Sequence, residues 1–411
     1  MERILFPAFI LLVAVQNVFS QTKAFVAEHI SSNRGLSHSV VLDIIQDRNG
    51  FIWIATGNGL NRYDGYHFTV FTHDETDTNS IVHGIVNKLL EDDDGNIWLA
   101  TAGGIDMYNP ARETFVHFTR QLLTNENKTG VNVQNIYQDS EKNIWFSLSS
   151  GYVFCYNKSS NKTEKYFLQE ILNGKRDING TNFFFEDETS KILMCTSMGG
   201  IFFLDKKNKH IQNYLIDPSD FGEFNNITSI YQLSKDTFLT SGKFLYYFYP
   251  ASGKFEKVDG FPYMNLLNIL PIRKDLLWIP SSTENRIYFY DIQKNSSGEV
   301  NFEVSSGEFT PLTGFTAIHL DRRDVLWLGS LKNGLLKIDL NRKPFHKIIL
   351  RSKDGRIQYM PGGILEDSRG RLWVSALNGI LLCKEKNKAA YPASACSNPN
   401  AASLVFKKAS D

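Results

Sequence analysis

The fold is decided by the stretch Asp47-Arg48-Asn49-Gly50-Phe51-Ile52-Trp53-Ile54-Ala55-Thr56-Gly57-Asn58-Gly59-Leu60. It combines an Asn-Gly turn, an apolar run centred on a tryptophan, and a second turn rich in glycine. The same series of features recurs about 45 residues later, around Trp98. Self-similarity at a fixed period is typical of repeat architectures, so the period is the first property to establish.

The six tryptophans of the 411-residue chain define that period, because each stands at the same place in such a unit. Most of them follow one another at intervals of about 45 to 49 residues. The longer interval from Trp145 to Trp278 leaves room for two further units, with Leu193 and Phe238 at the tryptophan position. The chain therefore holds eight motifs, at Trp53, Trp98, Trp145, Leu193, Phe238, Trp278, Trp327 and Trp373.

The strand around each tryptophan is apolar at consecutive positions, as in Ile52-Trp53-Ile54 and Ile97-Trp98-Leu99. Such a run indicates a strand that is covered on both faces. A propeller blade packed between two neighbours provides that environment, and we expect the indole N–H to reach a backbone carbonyl there. The sequence therefore predicts an all-β fold: a seven-bladed β-propeller of four-stranded antiparallel blades, plus the start of a second propeller.

The N-terminal segment Phe25 to Ile30 resembles the fourth strand of the later units. We expect it to fill the outer position in the blade that carries Trp327 and so to close the ring, which removes free sheet edges. The eighth motif would then begin a second propeller. A ring of eight blades is the alternative.

Four segments are predicted along the chain. Residues 1–20 have a short positive start and a twelve-residue apolar run, typical of a secretory signal peptide and too short to span a bilayer. Residues 21–342 form the propeller, 343–382 the first unit of a second one, and 383–411 a disordered tail. We expect a periplasmic protein.

Charge and composition exclude several classes of function. The 44 Lys and Arg residues balance 44 Asp and Glu residues, so nothing indicates a nucleic-acid partner. The Asp92-Asp93-Asp94-Gly95 turn lacks the glutamate that would complete a calcium loop, and the nine histidines show no metal-ligand spacing. We expect no metal, no cofactor and no catalytic residue. Cys155 and Cys195 lie within strands, where a small buried side chain is expected.

The repeat resembles the two-component regulator propeller repeat. The resemblance rests on Gly35-Leu36-Ser37-His38-Ser39-Val40-Val41, on the opening stretch, and on Gly59-Leu60-Asn61-Arg62-Tyr63-Asp64-Gly65. It covers residues 24–382 and is weak in the fourth and fifth units. That repeat is typical of the periplasmic sensor region of Bacteroidetes hybrid two-component histidine kinases, in which two seven-bladed propellers precede a β-sandwich, a membrane helix and the kinase core.

The resemblance implies a ligand-sensing propeller of a hybrid two-component system that recognises an oligosaccharide or another small ligand, and it allows a homodimer. The pattern stops after Leu382, so we expect a truncated or frameshifted chain without kinase activity, linked to a membrane only through a missing C-terminal region. The alternatives are a secreted propeller enzyme acting on polysaccharide, as a lyase or glycosidase, and a non-functional remnant.

Propeller geometry predicts where a ligand would bind. The loops that lead into each innermost strand and the turns after each tryptophan strand share one face, which is a common ligand face. Polar side chains there suit a hydroxyl-rich ligand. The candidate ligand-binding residues are His38, Asn58, His83, Arg286, Lys332 and Asn333.

Overall fold

The computed structural model describes residues 25–118, 131–172, 178–219, 223–304 and 314–341, and the backbone of 361–366, 372–376 and 379–384. By its internal contacts the chain divides into Met1–Asn341 and Arg342–Asp411. The predicted signal peptide and the predicted tail lie outside the described residues. Within the described part, no helix is long and apolar enough to cross a membrane.

The first unit is the predicted seven-bladed propeller. Its blades are antiparallel sheets whose strands follow chain order from the innermost to the outermost, and the first strands of successive blades contact one another around the centre. Blade 1 contains β2 (Val41–Gln46), β3 (Ile52–Thr56), β4 (Gly59–Tyr63) and β5 (Phe68–Phe71), and blade 2 contains β6 (Val86–Glu91), β7 (Ile97–Thr101), β8 (Gly104–Asn109) and β9 (Thr114–His117). Blade 3 contains β10 (Val133–Gln138), β11 (Ile144–Leu148), β12 (Tyr152–Asn157) and β13 (Lys162–Phe167), and blade 4 contains β14 (Thr181–Glu186), β15 (Ile192–Thr196), β16 (Ile201–Leu204) and β17 (Ile211–Tyr214). Blade 5 contains β18 (Ile227–Ser234), β19 (Thr237–Gly242), β20 (Leu245–Tyr249) and β21 (Lys254–Lys257), and blade 6 contains β22 (Leu270–Arg273), β23 (Leu276–Pro280), β24 (Ile287–Asp291) and β25 (Ser296–Val300).

Blade 7 closes the ring with both ends of the propeller. Strands β27 (Phe315–Leu320), β28 (Val325–Ser330) and β29 (Leu335–Asp339) are followed outward by the N-terminal strand β1 (Phe25–Ile30), which pairs antiparallel with β29. The predicted ring closure is therefore confirmed, and the eight-bladed alternative is wrong. A fifth strand, β26 (Phe302–Val304), pairs in parallel with β1 and covers its outer edge.

Within the described residues, short helical turns occur in three connections. Two are 3₁₀ turns, at Ser32–Arg34 and Glu223–Asn225, and one is a single α-helical turn at Leu168–Ile171. Each lies between one blade's outer strand and the next blade's inner strand; the first joins β1 of blade 7 to β2 of blade 1. These connections surround the entrance to the central channel.

The hydrophobic core is divided among the blade contacts. In the described residues seven clusters of buried apolar side chains are found, one between each pair of adjacent blades. Strands β3, β7, β11 and β15 are buried at every position, as the unbroken apolar runs predict. Cys155 and Cys195 are buried in the same layers, and burial raises the pKa of the Cys155 thiol to about 12.

One tryptophan-equivalent position was predicted wrongly. In blade 1, Trp53 lies opposite Ile45, the fifth residue of the inner strand, and packs toward blade 2. In blade 5 the residue opposite the fifth position is Leu239, which packs toward blade 6. Phe238 instead packs toward blade 4, because a one-residue step along a strand turns the side chain to the other face.

The indole N–H groups of Trp53, Trp98, Trp145 and Trp327 bond to aspartate side chains and not to the backbone carbonyls that we had expected. Asp47 precedes Trp53 by six residues, and its Oδ2 accepts from the indole Nε1 at 2.8 Å while Oδ1 accepts from two backbone N–H groups of the turn. The same bond is found at Asp92–Trp98, Asp139–Trp145 and Asp321–Trp327, at 2.8, 2.9 and 3.0 Å. The acidic turns therefore fix the tryptophan strand.

The second unit contains the eighth motif as a three-stranded antiparallel sheet. Its strands are β30 (Pro361–Glu366), β31 (Leu372–Ala376) and β32 (Gly379–Lys384), with Trp373 in the middle strand. The register of β30 with β31 shifts by one residue near its start, as it does in the inner strands of the first unit. The eighth motif thus has the strand pairing of a blade; that it begins a second propeller stays a prediction.

Candidate functional site

The upper face of the propeller is the face formed by the loops that enter each inner strand and by the turns between the second and third strands. Backbone hydrogen bonds tie these segments together: Gly57 N–H donates to Val40 O at 3.0 Å, and Gly59 N–H donates to Gly84 O at 2.6 Å. Gly334 N–H donates to Ser39 O at 2.8 Å. The loops and turns of blades 7, 1 and 2 are therefore one connected surface.

His38 and His83 occupy equivalent places at the entrance to blades 1 and 2. In each, the ring Nδ1 accepts from the backbone N–H two residues later, at 3.1 Å from Val40 and 3.0 Å from Ile85. Because Nδ1 is an acceptor, the proton of each neutral ring is on Nε2, which is a donor. Both side chains are half-buried.

Glycines make room for these imidazoles. A Cβ at Gly57 would lie 2.9 Å from Nδ1 of His38, and a Cβ at Gly103 would lie 2.9 Å from Cβ of His83. Neither glycine has a positive φ, so the close approach of the ring, and not the backbone conformation, requires glycine here. The turn after each tryptophan strand is thus shaped around the histidine that precedes the inner strand.

Asn58, Lys332 and Asn333 lie on the same connected surface. The side chain of Asn58 is exposed, and its Oδ1 approaches the backbone of Gly84, next to His83. Lys332 is exposed in the blade 7 turn. The carbonyl oxygen of Asn333 accepts from His29 Nε2 at 2.5 Å, which ties that turn to β1. Five of the six predicted residues therefore lie on blades 7, 1 and 2.

Arg286 is placed apart from the other five. It lies in the blade 6 turn of the upper face, but its guanidinium turns outward to the carboxylates of Glu299, in the outer strand β25, and of Glu284. It borders a shallow depression of about 380 Å³, lined also by Asn285, Glu299, Val300, Asn301, Phe302 and Val304. Arg286 therefore belongs to the rim of the molecule and not to the entrance of the channel.

A series of polar side chains that we did not predict links the blades at this entrance. The second residue of an inner strand is displaced by a β-bulge, and its side chain donates to a carbonyl at the start of the next blade. Asn87 reaches Val133 O at 2.8 Å and Asn182 reaches Ile227 O at 2.8 Å. Thr228 reaches Leu266 O and Thr316 reaches Val41 O in the same way. The polar residue that stands second in each of these four inner strands was the signal.

An ion pair between a buried aspartate and an exposed histidine, also not predicted, holds the loop that carries His83. Asp106 in β8 is fully buried, and its Oδ1 lies 2.7 Å from His117 Nδ1 in β9. Its Oδ2 accepts from Val82 N–H at 2.7 Å, and His117 Nε2 lies 3.0 Å from Thr78 O. Because a carbonyl only accepts, His117 Nε2 carries a proton. The loop from β5 to β6 is therefore fastened at two points next to the candidate site.

Three aromatic side chains on the upper face were also missed: Phe224, Phe244 and Tyr263. They lie in loops of blades 4 to 6, where the repeat is degenerate and gave no position to compare. In the described residues, no group of three or more His, Cys, Asp or Glu side chains could hold a metal ion. The upper face therefore offers polar side chains on one side and aromatic side chains on another.

Comparison with known proteins identifies the repeat. The model of the family described as "Two component regulator propeller" matches residues 35–58 and 80–103. "Histidine kinase P4" of Formosa agariphila is 39% identical over 62 residues, which is 15% of this chain and 4% of that protein. The chain thus spans a small fraction of this curated relative.

Solved structures share the fold. The extracellular domain of a hybrid two component system from B. thetaiotaomicron superposes with a TM-score of 0.67 at 20% identity, over 89% of this chain and 49% of that one. A second such domain superposes with a TM-score of 0.61 at 17% identity, over 88% of this chain and 45% of that one. A streptogramin B lyase superposes with a TM-score of 0.59 at 14% identity, over 77% of this chain and 98% of that one. The chain spans about half the length of the two-component domains, and these identities show the propeller fold alone.

The two stretches that the family model matches contain His38 and His83 with the turns that follow Trp53 and Trp98. They are the repeat units whose loops form the connected surface of blades 1 and 2. The structure and the sequence match therefore agree on the same two units, and both units match the repeat of the two-component regulator propeller family.

Proposed function

We propose that this propeller is a ligand-sensing domain of a two-component regulatory system, that it faces the periplasm, and that it recognises a carbohydrate fragment. The family of its repeats supports a role in such a system. The likeness to extracellular domains of hybrid two-component systems supports a location outside the cytoplasm. In this proposal the propeller recognises a ligand and carries out no chemistry itself.

The observation that carries the proposal is the connected polar surface of blades 7, 1 and 2. It presents the Nε2–H donors of two neutral imidazoles, the amide of Asn58 and the ammonium of Lys332 on turns held by backbone hydrogen bonds. Such groups suit the hydroxyls of a sugar, which both donate and accept. Rigid turns lower the entropy lost on binding.

The residues that the structure describes give the enzymatic alternative no support. A lyase or glycosidase would need acids, histidines or tyrosines that converge on one point. Asp43, an acid in the inner strand β2, has both oxygens engaged, by Lys88 Nζ at 2.7 Å and by Leu89 N–H at 2.9 Å. The likeness to a streptogramin B lyase extends to the fold only. We therefore propose recognition.

The signal would leave the propeller by a change in blade packing or in dimerisation. Ligand contacts on blades 7, 1 and 2 would affect the pairing of β1 with β29 that closes the ring, because the Asn333 turn is hydrogen-bonded both to His29 and to the loop of His38. A ligand can shift such packing only by its difference in affinity for two arrangements. Membership in a longer sensor would supply the responding parts.

A binding screen tests the proposal. The full chain would be titrated with defined oligosaccharides and its unfolding temperature followed; at a hundredfold excess over Kd, a ligand stabilises the fold by about 2.7 kcal/mol. We expect one class of oligosaccharide to stabilise the chain, and His83→Ala and Asn58→Ala to remove the effect. Arg286→Ala, on the rim of the same face, is the matched control and should keep it. Absence of stabilisation by every oligosaccharide would refute the proposal.

A further inference from the structure

Phe224, Phe244 and Tyr263 form an aromatic cluster on the upper face. Phe224 belongs to the loop between blades 4 and 5, Phe244 to the turn between β19 and β20, and Tyr263 to the loop between blades 5 and 6. The ring centroids of Phe244 and Tyr263 are 5.5 Å apart at an interplanar angle of 67°. Those of Phe224 and Tyr263 are 6.5 Å apart at 61°. The three rings thus meet edge to face, an arrangement that aromatic pairs prefer.

The cluster is exposed although its members are large. Tyr263 keeps 53% of its surface accessible and Phe224 keeps 40%. Burying an aromatic side chain stabilises a fold by about 1.5–3 kcal/mol, so a cluster that stays at the surface forgoes much of that gain. Grouped exposed apolar side chains, unlike scattered ones, mark sites of interaction.

The backbone beneath the rings is fixed. Met264 N–H donates to Lys243 O at 3.1 Å, and Leu266 N–H donates to Gly242 O at 2.8 Å, which fasten the Tyr263 loop to blade 5. On the other side, Gly200 N–H donates to Asn225 O at 3.0 Å. The Asn225 amide also donates to Asp217 O at 2.7 Å. The rings are therefore held in place before any ligand arrives, which favours affinity.

Polar groups border the rings. Lys257 Nζ lies over the ring of Phe244, 3.4 Å from its centroid, and covers that face; Lys243 Nζ lies over the ring of Tyr263, 5.1 Å from its centroid. The negative face of an aromatic ring attracts positive edges, including the C–H groups on the apolar face of a sugar ring. Hydroxyls around the same sugar ring would then meet the ammonium groups and the Tyr263 hydroxyl. Aromatic rings with hydrogen-bonding groups at the border match a pyranose.

We propose that Phe224, Phe244 and Tyr263 form a stacking platform for one pyranose ring of an oligosaccharide. The proposal rests on the proposed function and deepens it, because it adds a second sugar contact, on blades 4 to 6, to the polar residues of blades 7, 1 and 2. A protein partner is disfavoured by size, since a stable interface buries about 800 Å² on each partner and three partly buried rings offer far less.

The test compares four variants of the full chain. Tyr263→Ala and Phe224→Ala remove rings of the platform, and Tyr263→Phe keeps the ring but loses the hydroxyl. Tyr66→Ala is the matched control, because Tyr66 is 87% exposed in the turn between β4 and β5, on the opposite face. The probes are tetrasaccharides of cellulose, mannan, xylan and polygalacturonate, and affinity is measured by titration calorimetry with saturation-transfer NMR to map the contacts.

We expect Tyr263→Ala to weaken the binding of the recognised tetrasaccharide at least tenfold and Phe224→Ala severalfold. The affinity of Tyr263→Phe for this tetrasaccharide should stay within threefold of the wild-type affinity, and the affinity of Tyr66→Ala should equal it. If a tetrasaccharide binds Tyr263→Ala as tightly as the wild type, the platform is refuted and the sensing function stands. If Tyr263→Ala instead changes the oligomeric mass and leaves sugar affinity unchanged, the cluster is a protein interface and the platform is again refuted. If no tetrasaccharide binds the wild type, both proposals fail.

Discussion

The indole Nε1 of Trp98 donates to Oδ2 of Asp92 over 2.8 Å, and both side chains are buried in the blade contact. Oδ1 of Asp92 accepts from the backbone N–H groups of Asp94 and Asn96, and Lys158 from blade 3 reaches Oδ2 at 3.0 Å. Burial alone would raise the pKa of Asp92, but the bonds from Trp98, Lys158 and Asn96 outweigh it and hold the pKa below its usual value. One carboxylate therefore joins a turn, a core tryptophan and a neighbouring blade.

Asp92→Ala is expected to lower the free energy of unfolding by about 3 kcal/mol, because it leaves a buried indole N–H without its acceptor and removes one of the two carboxylates that the Lys158 ammonium contacts. The matched control is Asp94→Ala. Asp94 contacts the same Lys158 at 2.8 Å, but its side chain is 65% exposed, so its loss should change the free energy by less than about 1 kcal/mol. Urea unfolding of both variants measures the difference, and equal effects would contradict the prediction.

Ring closure gives a second prediction, at Ala27 in β1. Ala27 is fully buried and lies opposite Ile338 in β29 and beside Val304 in β26. Ala27→Asp would place an unpaired charge in the last blade contact, and we expect it to release β1 and to lower stability by several kcal/mol. Limited proteolysis should then cut the chain at its N-terminal strand. Glu28→Ala, at the neighbouring exposed position, should leave the ring closed; cleavage of both variants alike would argue against closure as the cause.

Much of this fold could be predicted because the repeat units can be compared with one another along the chain. Six tryptophans at one spacing define the blades, and the unbroken apolar run predicts strands covered on both faces, as β3 and β7 are. The comparison fails where a unit has diverged. Because blade 5 has no tryptophan, its tryptophan-equivalent position was predicted at Phe238, one residue before the correct Leu239. Comparison with the other units did not reveal the error.

The candidate site was predictable in place but not in detail. Propeller topology puts His38, Asn58 and His83 on one face, and the structure brings their loops together. The sequence alone does not reveal that Arg286 turns toward Glu299, because that contact depends on the path of β25. Asp106 and His117 could not be paired either, since a cross-strand contact depends on register. The aspartate six residues before each of five tryptophans was visible, and its bond to the indole was not anticipated.

The Asp106–His117 pair predicts a dependence on pH. Burial lowers the pKa of His117, but the hydrogen bond to the Asp106 carboxylate and the Thr78 carbonyl outweigh it, so the pKa lies above the usual 6.5. Burial raises the pKa of Asp106 in spite of its bonds from His117 and Val82, and His73, on the same loop, also acts on it. A histidine whose pKa is raised on folding contributes stability that is complete below pH 6.5 and is lost as the pH rises through its folded pKa.

We therefore expect the wild type to exceed His117→Gln in stability by about 1 kcal/mol below pH 6.5, a modest value because His117 is 38% exposed. The difference should shrink as the pH rises from there. Amide exchange at Val82, corrected for the intrinsic rate, should quicken over the same range as the loop loosens. His67→Gln is the control, since His67 is 87% exposed and lies 3.8 Å from Asp64. A difference that grows toward alkaline pH would contradict the assignment.

Gly57 provides the last prediction, because it links the shape of a turn to the position of a candidate ligand residue. A Cβ at this position would lie 2.9 Å from Nδ1 and 3.1 Å from Cε1 of His38, closer than side chains tolerate. Gly57→Ala should therefore displace the imidazole and break its bond from Val40 N–H, with a loss of about 1 kcal/mol in stability. NMR of histidine-labelled protein would show this displacement as a shift of the His38 Cε1–H signal, and oligosaccharide affinity should fall with it if His38 contacts the sugar.

Blade 2 has Ala102 at the equivalent place, so Ala102→Gly makes the reverse change and should leave the His83 signal where it is. An unmoved His38 signal in Gly57→Ala would mean that the turn yields and not the ring, and that the glycine is there for a reason other than the histidine.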